Sequence, residues 1–145
     1  MNIVPAEKGH AEYISTELAN FFSRANTLFE YPRYKDGKDH MLKHVTNGIE
    51  SPTNEFLYFV QEDESKNPLG FINLSVNEYN IGSILMVLGQ NEEILKNLID
   101  YSIPFFKNLN VSKVQIEAES FQTDLLSVLK KYNKEELITR FKISI

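Results

Sequence analysis

Between Phe56 and Leu88 the chain carries three apolar runs in quick succession, FLYFVQ, LGFINLSV and IGSILMVL, joined by the polar links EDESKNP and NEYN. Runs of this length, rich in branched and aromatic residues and separated by Asn, Pro and charge, predict a three-stranded antiparallel meander. The segment beyond Leu88 narrows the fold. From Asn91, a natural helix cap, the apolar residues Ile94, Leu95, Leu98, Ile99, Ile103, Phe106 and Leu109 fall at helical spacing. VSKVQIEA then alternates, with Val114, Ile116 and Ala118 on one face of a strand and Lys113, Gln115 and Glu117 on the other. A single helical crossover makes the strands it joins parallel neighbours, which sets IGSILMVL beside VSKVQIEA. The fold class is therefore α/β, a mixed and mostly antiparallel central sheet flanked by helices.

The remaining elements fit around that sheet. Ile3 and Val4 suit a short strand ended by Pro5, and Ala11, Ile14, Leu18, Phe21, Phe22 and Ala25 describe an amphipathic helix. LFEYPRYKDG, within the interval Asn26 to Gly37, has no period and is expected as a loop. A second helix is expected from Asp39 to Asn47, with Met41, Leu42 and Val45 on one side and Gly48 as its stop. Pro104 is expected to kink the long helix or end it early. Leu125, Leu126, Val128 and Leu129 make a further helix before a last alternating strand, Thr139 to Ile145. The order is β, α, α, β, β, β, α, β, α, β, and residues 1–145 need only one domain.

Composition excludes several kinds of chemistry. The chain has no Cys, so thiol nucleophiles, disulfides and thiolate metal centres are ruled out. Fifteen Lys and Arg against 20 Asp and Glu give a net charge of -5, a poor basis for neutralising nucleic-acid phosphates. No apolar stretch approaches bilayer length, and MNIVPAEKGH has no basic segment followed by a hydrophobic one. The expectation is a soluble cytoplasmic protein with no nucleic-acid or membrane partner.

The order of elements, from the Ile-x-Pro-Ala-like start through the long meander to the final helix and strand, resembles the GNAT superfamily of acyl-CoA-dependent N-acetyltransferases across nearly the whole chain. The resemblance lies in arrangement rather than signature residues. It implies two central parallel strands that splay apart around acetyl-CoA, with the diphosphate on backbone N–H groups where the helix after the fourth strand begins. Met86, Val87 and Leu88 of IGSILMVL then offer backbone groups to the pantetheine arm and thioester, while Gly89, Gln90 and Asn91 meet the diphosphate. The family's motif there is Arg or Gln, two residues, Gly, any residue, then Gly or Ala. Here the stretch reads LGQNEEILKN, with Gly89 its sole glycine and a short link between strand and helix. Glu92 and Glu93 place carboxylates at that helix start. Such residues stabilise a helix by about 0.3 to 1 kcal/mol each. At about 4 to 8 Å and an effective dielectric of about 20 to 40, each repels a phosphate charge by about 1 to 4 kcal/mol.

The resemblance also implies a Tyr on the last long helix that protonates the departing thiolate. Aligning LLSVLKKYNKEE by its helix end puts Leu129 in the Tyr position and Asn133 in the place of a terminal Gly; Tyr132 substitutes only in a shifted alignment. An amine attacking a thioester needs a proton acceptor, either a carboxylate or a held water. Glu62, Glu78 and Glu119 are candidates. Glu119 stands out because it closes the predicted parallel strand, and ligand sites in open α/β sheets gather beyond the carboxyl ends of strands. Phe29, Tyr31 and Tyr34, with Arg33, supply an aromatic loop where enzymes of this kind build part of the acceptor site.

His40 and His44 stand four apart on the second predicted helix, near Asp36 and Asp39, but no third ligand is marked and the His-Glu-x-x-His pattern is not met. No metal is assigned. No Gly-x-Ser-x-Gly elbow supports serine catalysis. TRFKISI could pair with a second subunit, a homodimer, although Arg140 and Lys142 protect its edge. These features leave two functions: an N-acetyltransferase acting on a small-molecule or protein amine, or a catalytically silent protein of this fold that binds a ligand or another protein.

Overall fold

The structure, a computed structural model, describes residues 2–26 and 37–132. Its five strands are β1 (Asn2–Pro5), β2 (Leu57–Glu62), β3 (Pro68–Val76), β4 (Gly82–Gly89) and β5 (Val114–Ile116), and they lie in the sheet in that order. The first three pairings are antiparallel and the β4–β5 pairing is parallel, as the helical crossover requires. The sheet is therefore the mixed, mostly antiparallel one expected from the run of strands and the single crossover.

The helices divide between its two faces. α1 (Ala11–Asn26), after a 3-10 turn at Lys8–His10, and α2 (Gly37–Glu50) cover one face. Ile14, Leu18, Met41 and Val45 pack there on Tyr58, Val60 and Phe71. α3 (Glu92–Asn108) and α4 (Thr123–Leu129) cover the other. On that side Leu98, Ile99, Phe106, Leu125 and Val128 meet Phe59, Ile72, Leu74 and Val87. Two-residue alternation along each strand separates the two sets, so Phe71 and Ile72 are both fully buried on opposite faces.

Three boundaries differ from the sequence expectations. α2 does not stop at Gly48 but continues to Glu50. Gly48 serves packing instead: a Cβ there would lie 2.5 Å from the Phe56 ring, so its absence lets Phe56 rest on the helix. Pro104 does not end α3, which runs to Asn108. The lost N–H is outweighed by burial of Phe106 on the turn beyond it. β5 is confined to Val114–Ile116, and Val114 is 39% exposed, so the longer two-faced alternation through Ala118 does not form. The loop reading of LFEYPRYKDG and the last strand, Thr139 to Ile145, lie outside the described residues. No described helix is long and apolar enough to cross a membrane.

Candidate functional site

The two parallel strands part almost as soon as they meet. β5 pairs with β4 only from Gly82↔Val114 to Ile84↔Ile116, while β4 continues five residues further, to Gly89. At the point of parting β4 carries a bulge: Asn73 faces Met86 and Leu74 faces Ile84, which leaves Leu85 outside the register and 47% exposed. Beyond the bulge one side of β4 remains paired with β3. Gln90 N–H donates to the Leu69 carbonyl at 3.1 Å. By strand alternation Leu88 and Met86 turn their backbone groups towards β3 too, and those of Val87 and Gly89 point to the opened side. Among the described residues no strand meets them there.

A groove of about 310 Å³ lies along this edge, lined by Val87, Leu88 and Gly89, by Leu95 of α3, and by residues of α1 and of the segment Phe121–Leu125. Phe121 closes its rim. Its ring centroid lies 5.5 Å from that of Phe21, and the Arg24 guanidinium sits 4.7 Å above it. The described lining carries the carboxylates of Glu17 and Asp124 against the single guanidinium of Arg24. A second depression, about 450 Å³ and lined by Glu55, Ser75, Asn77, Glu78 and Tyr79, sits at the opposite end of the β3–β4 hairpin.

At the start of α3 the link from β4 is only Gln90 and Asn91. Asn91 caps the helix, its Oδ1 accepting the Ile94 N–H at 3.0 Å. Ile94 also presses on the glycine: a Cβ on Gly89 would come within 2.9 Å of its Cγ2, and one on Gly70 within 2.7 Å. The two glycines thus bring the first turn of α3 down onto the sheet. Glu92 and Glu93 occupy that turn, the second of them exposed.

Glu119 follows β5 and is 9% exposed, in a turn held by Gln122. Gln122 Oε1 accepts the Glu119 N–H at 2.8 Å, and the Gln122 N–H donates to the Glu119 carbonyl at 2.9 Å. It is two residues from Phe121 on the groove wall. Tyr132 is not among the groove residues. Its hydroxyl donates to Asp100 Oδ1 on α3, and Lys96 bonds the other oxygen. Burial, then the hydrogen bond to Asp100, push the Tyr132 hydroxyl well above the ordinary tyrosine range. Burial alone would raise Asp100, but the bonds from Lys96 and Tyr132 outweigh it and hold the carboxyl low. Phe29, Tyr31 and Tyr34 lie outside the described residues. Among the described residues no group of three or more His, Asp or Glu is placed to hold a metal ion, and the His44 ring packs edge-on against Phe56.

Two features, one in this groove and one on the neighbouring strand, are not evident from sequence. One is the α1 wall, with Glu17, Asn20, Phe21 and Arg24. Phe21 fits the apolar stripe of an amphipathic helix, and helical periodicity does not distinguish a core contact from a groove wall. The other is Asn73, outside the groove lining and 5% exposed on β3 opposite the bulge, whose Oδ1 has no hydrogen-bond partner among the described residues. A lone Asn inside LGFINLSV is the signal that could have found it, since a buried amide oxygen calls for a hydrogen-bond donor.

No family model matches the chain, and no curated protein matches it. Solved structures do, over essentially its full length. The ribosomal-protein-alanine N-acetyltransferase of Brucella melitensis biovar Abortus 2308 superposes with a TM-score of 0.68 at 13% identity, covering 100% of both chains. The spermidine/spermine N-acetyltransferase SpeG of Vibrio cholerae gives 0.67 at 17% identity, over 99% of this chain and 86% of that one. A predicted acetyltransferase of Clostridium acetobutylicum, solved with acetyl-CoA, gives 0.66 at 13% identity, over 99% and 95%. The chain has the fold of the GNAT acetyltransferases.

The acyl-CoA donor implied by that fold divides into two parts at this site. An uncharged, amide-bearing arm fits the open edge of β4, where Val87 and Gly89 offer backbone donors and acceptors. The diphosphate does not fit the start of α3, where a side-chain cap, a packed Ile94 and two carboxylates stand.

Proposed function

We propose that this protein is an N-acyltransferase that moves an acetyl group from a pantetheine thioester, such as acetyl-CoA, to a primary amine. The observation that carries this reading is the early parting of β4 and β5, which opens the Val87 and Gly89 backbone groups onto a groove. The thioester supplies the acyl carbon, and the reaction exchanges its C–S bond for a C–N bond. Val87 and Gly89 hold the arm as a neighbouring strand would, with the Leu85 bulge ending the sheet pairing beside the reacting end. Glu119, directly or through a water, takes the proton that the ammonium must lose to become the attacking amine, and the pantetheine sulfur leaves as the thiol with the proton that the nitrogen releases once the C–N bond has formed. Phe29, Tyr31 and Tyr34 remain candidates for the acceptor side.

The test is transfer itself. Incubation with acetyl-CoA and a panel of primary amines should yield an amine heavier by one acetyl group, and Glu119→Gln should lower turnover by about 10²-fold or more without changing donor affinity. The acidic first turn of α3 favours a second reading, a catalytically silent ligand- or protein-binding member of the fold. That reading expects neither donor binding nor transfer.

A further inference from the structure

We infer that the donor groove recognises the uncharged pantetheine arm and is opposed, not helped, by the nucleotide diphosphate, so that its preferred donor class is an acyl thioester on a neutral arm. This inference rests on the acyltransferase reading. It comes from three features at the start of α3. The Ile94 N–H, one of the donors that a helix N-terminus holds out to an anion, is already bonded to Asn91 Oδ1 at 3.0 Å. Gly89 packs under Ile94, whose Cγ2 would be 2.9 Å from any added Cβ, and only Gln90 and Asn91 link β4 to α3, too short a loop to wrap around a diphosphate. Glu92 and Glu93 fill the first turn with negative charge that the helix dipole stabilises and a phosphate would have to face. Along the groove the described carboxylates of Glu17 and Asp124 add to that field, and the Arg24 guanidinium is stacked on Phe121. The Val87 and Gly89 edge, by contrast, needs only amide partners and is indifferent to charge.

Calorimetric titration with acetyl-pantetheine and with acetyl-CoA separates the two halves of the donor. Acetyl-CoA should bind no more tightly than acetyl-pantetheine. Raising salt from about 0.01 M to about 0.15 M should strengthen acetyl-CoA binding by screening the repulsion and leave acetyl-pantetheine unchanged. The double variant Glu92→Gln, Glu93→Gln should tighten acetyl-CoA about tenfold and move acetyl-pantetheine by less than about twofold. Acetyl-CoA binding more than about tenfold tighter than the arm alone, or weakening with salt, overturns the inference while leaving the acyltransferase reading intact. If neither compound binds, the acyltransferase reading falls and the inference with it. The salt series uses the unaltered protein, so the inference stays testable if the double variant fails to fold.

Discussion

At the scale of single residues, the placement of Tyr132 separates structural from chemical roles. Its hydroxyl donates to Asp100, tying the segment after α4 to the middle of α3, and burial with that bond makes its proton harder to remove. Tyr132→Phe should lower stability by about 0.5 to 1.5 kcal/mol in denaturant titration and leave the rate of acetyl transfer unchanged. A loss of turnover at unchanged stability would return it to the reaction. Tyr13 gives a pH signature. Burial against the sheet, reinforced by the nearby Glu17, raises its hydroxyl from 10.0 to about 12. The native state therefore holds this proton more firmly than the unfolded chain, and that stability is present below pH 10 and lost as pH rises towards 12. Tyr13→Phe should flatten this alkaline slope in thermal melts taken across the same range. Asp100 works in the opposite sense: its lowered carboxyl adds stability above its ordinary value of 3.8 that is lost as pH falls below it.

At the scale of elements, the seating of α3 on the sheet depends on small residues beneath it. A Cβ on Gly70 would stand 2.7 Å from both Ile94 Cγ2 and the Leu88 carbonyl oxygen, and the carbonyl is backbone that cannot turn aside. Gly70→Ala should thus cost about 1 to 3 kcal/mol and weaken donor binding together with stability, because it pushes the first turn of α3 away from β4. Thermal melts and donor titration of the same variant check both. The meander and the crossover were legible in the sequence because FLYFVQ, LGFINLSV and IGSILMVL are bounded by polar links, and the Asn91 cap marks the start of α3. The length of β5 was not legible. VSKVQIEA alternates over its full length, but alternation records a preference for faces, not which residues find a hydrogen-bonding neighbour. Gly48 likewise read as a stop and Pro104 as a kink or early end, because local preference carries no information about the Phe56 ring or the Phe106 burial that let the helices continue.

At the scale of the whole molecule, the proposed function turns on an incomplete sheet: among the described residues one strand outruns its parallel neighbour, and its open edge lies beside a groove between α1 and Phe121–Leu125. The sequence pointed to Met86 to Asn91 for the donor, on resemblance of element order. It did not show which backbone groups are open, since that depends on the Gln90–Leu69 hydrogen bond that fixes the alternation. Nor did it show that Phe21 and Arg24 reach across to Phe121, a contact between residues about a hundred positions apart that no local pattern encodes. The charges of Glu92 and Glu93 could be read directly, because helix-end electrostatics are local. The most direct measurement is amide NMR during titration with acetyl-pantetheine. The Val87 and Gly89 N–H resonances should move and their hydrogen exchange slow as they gain partners, while Leu88, already bonded within the sheet, changes far less. Saturable binding that leaves Val87 and Gly89 unmoved, or no response at millimolar ligand, would contradict the assignment of the open edge as the donor site.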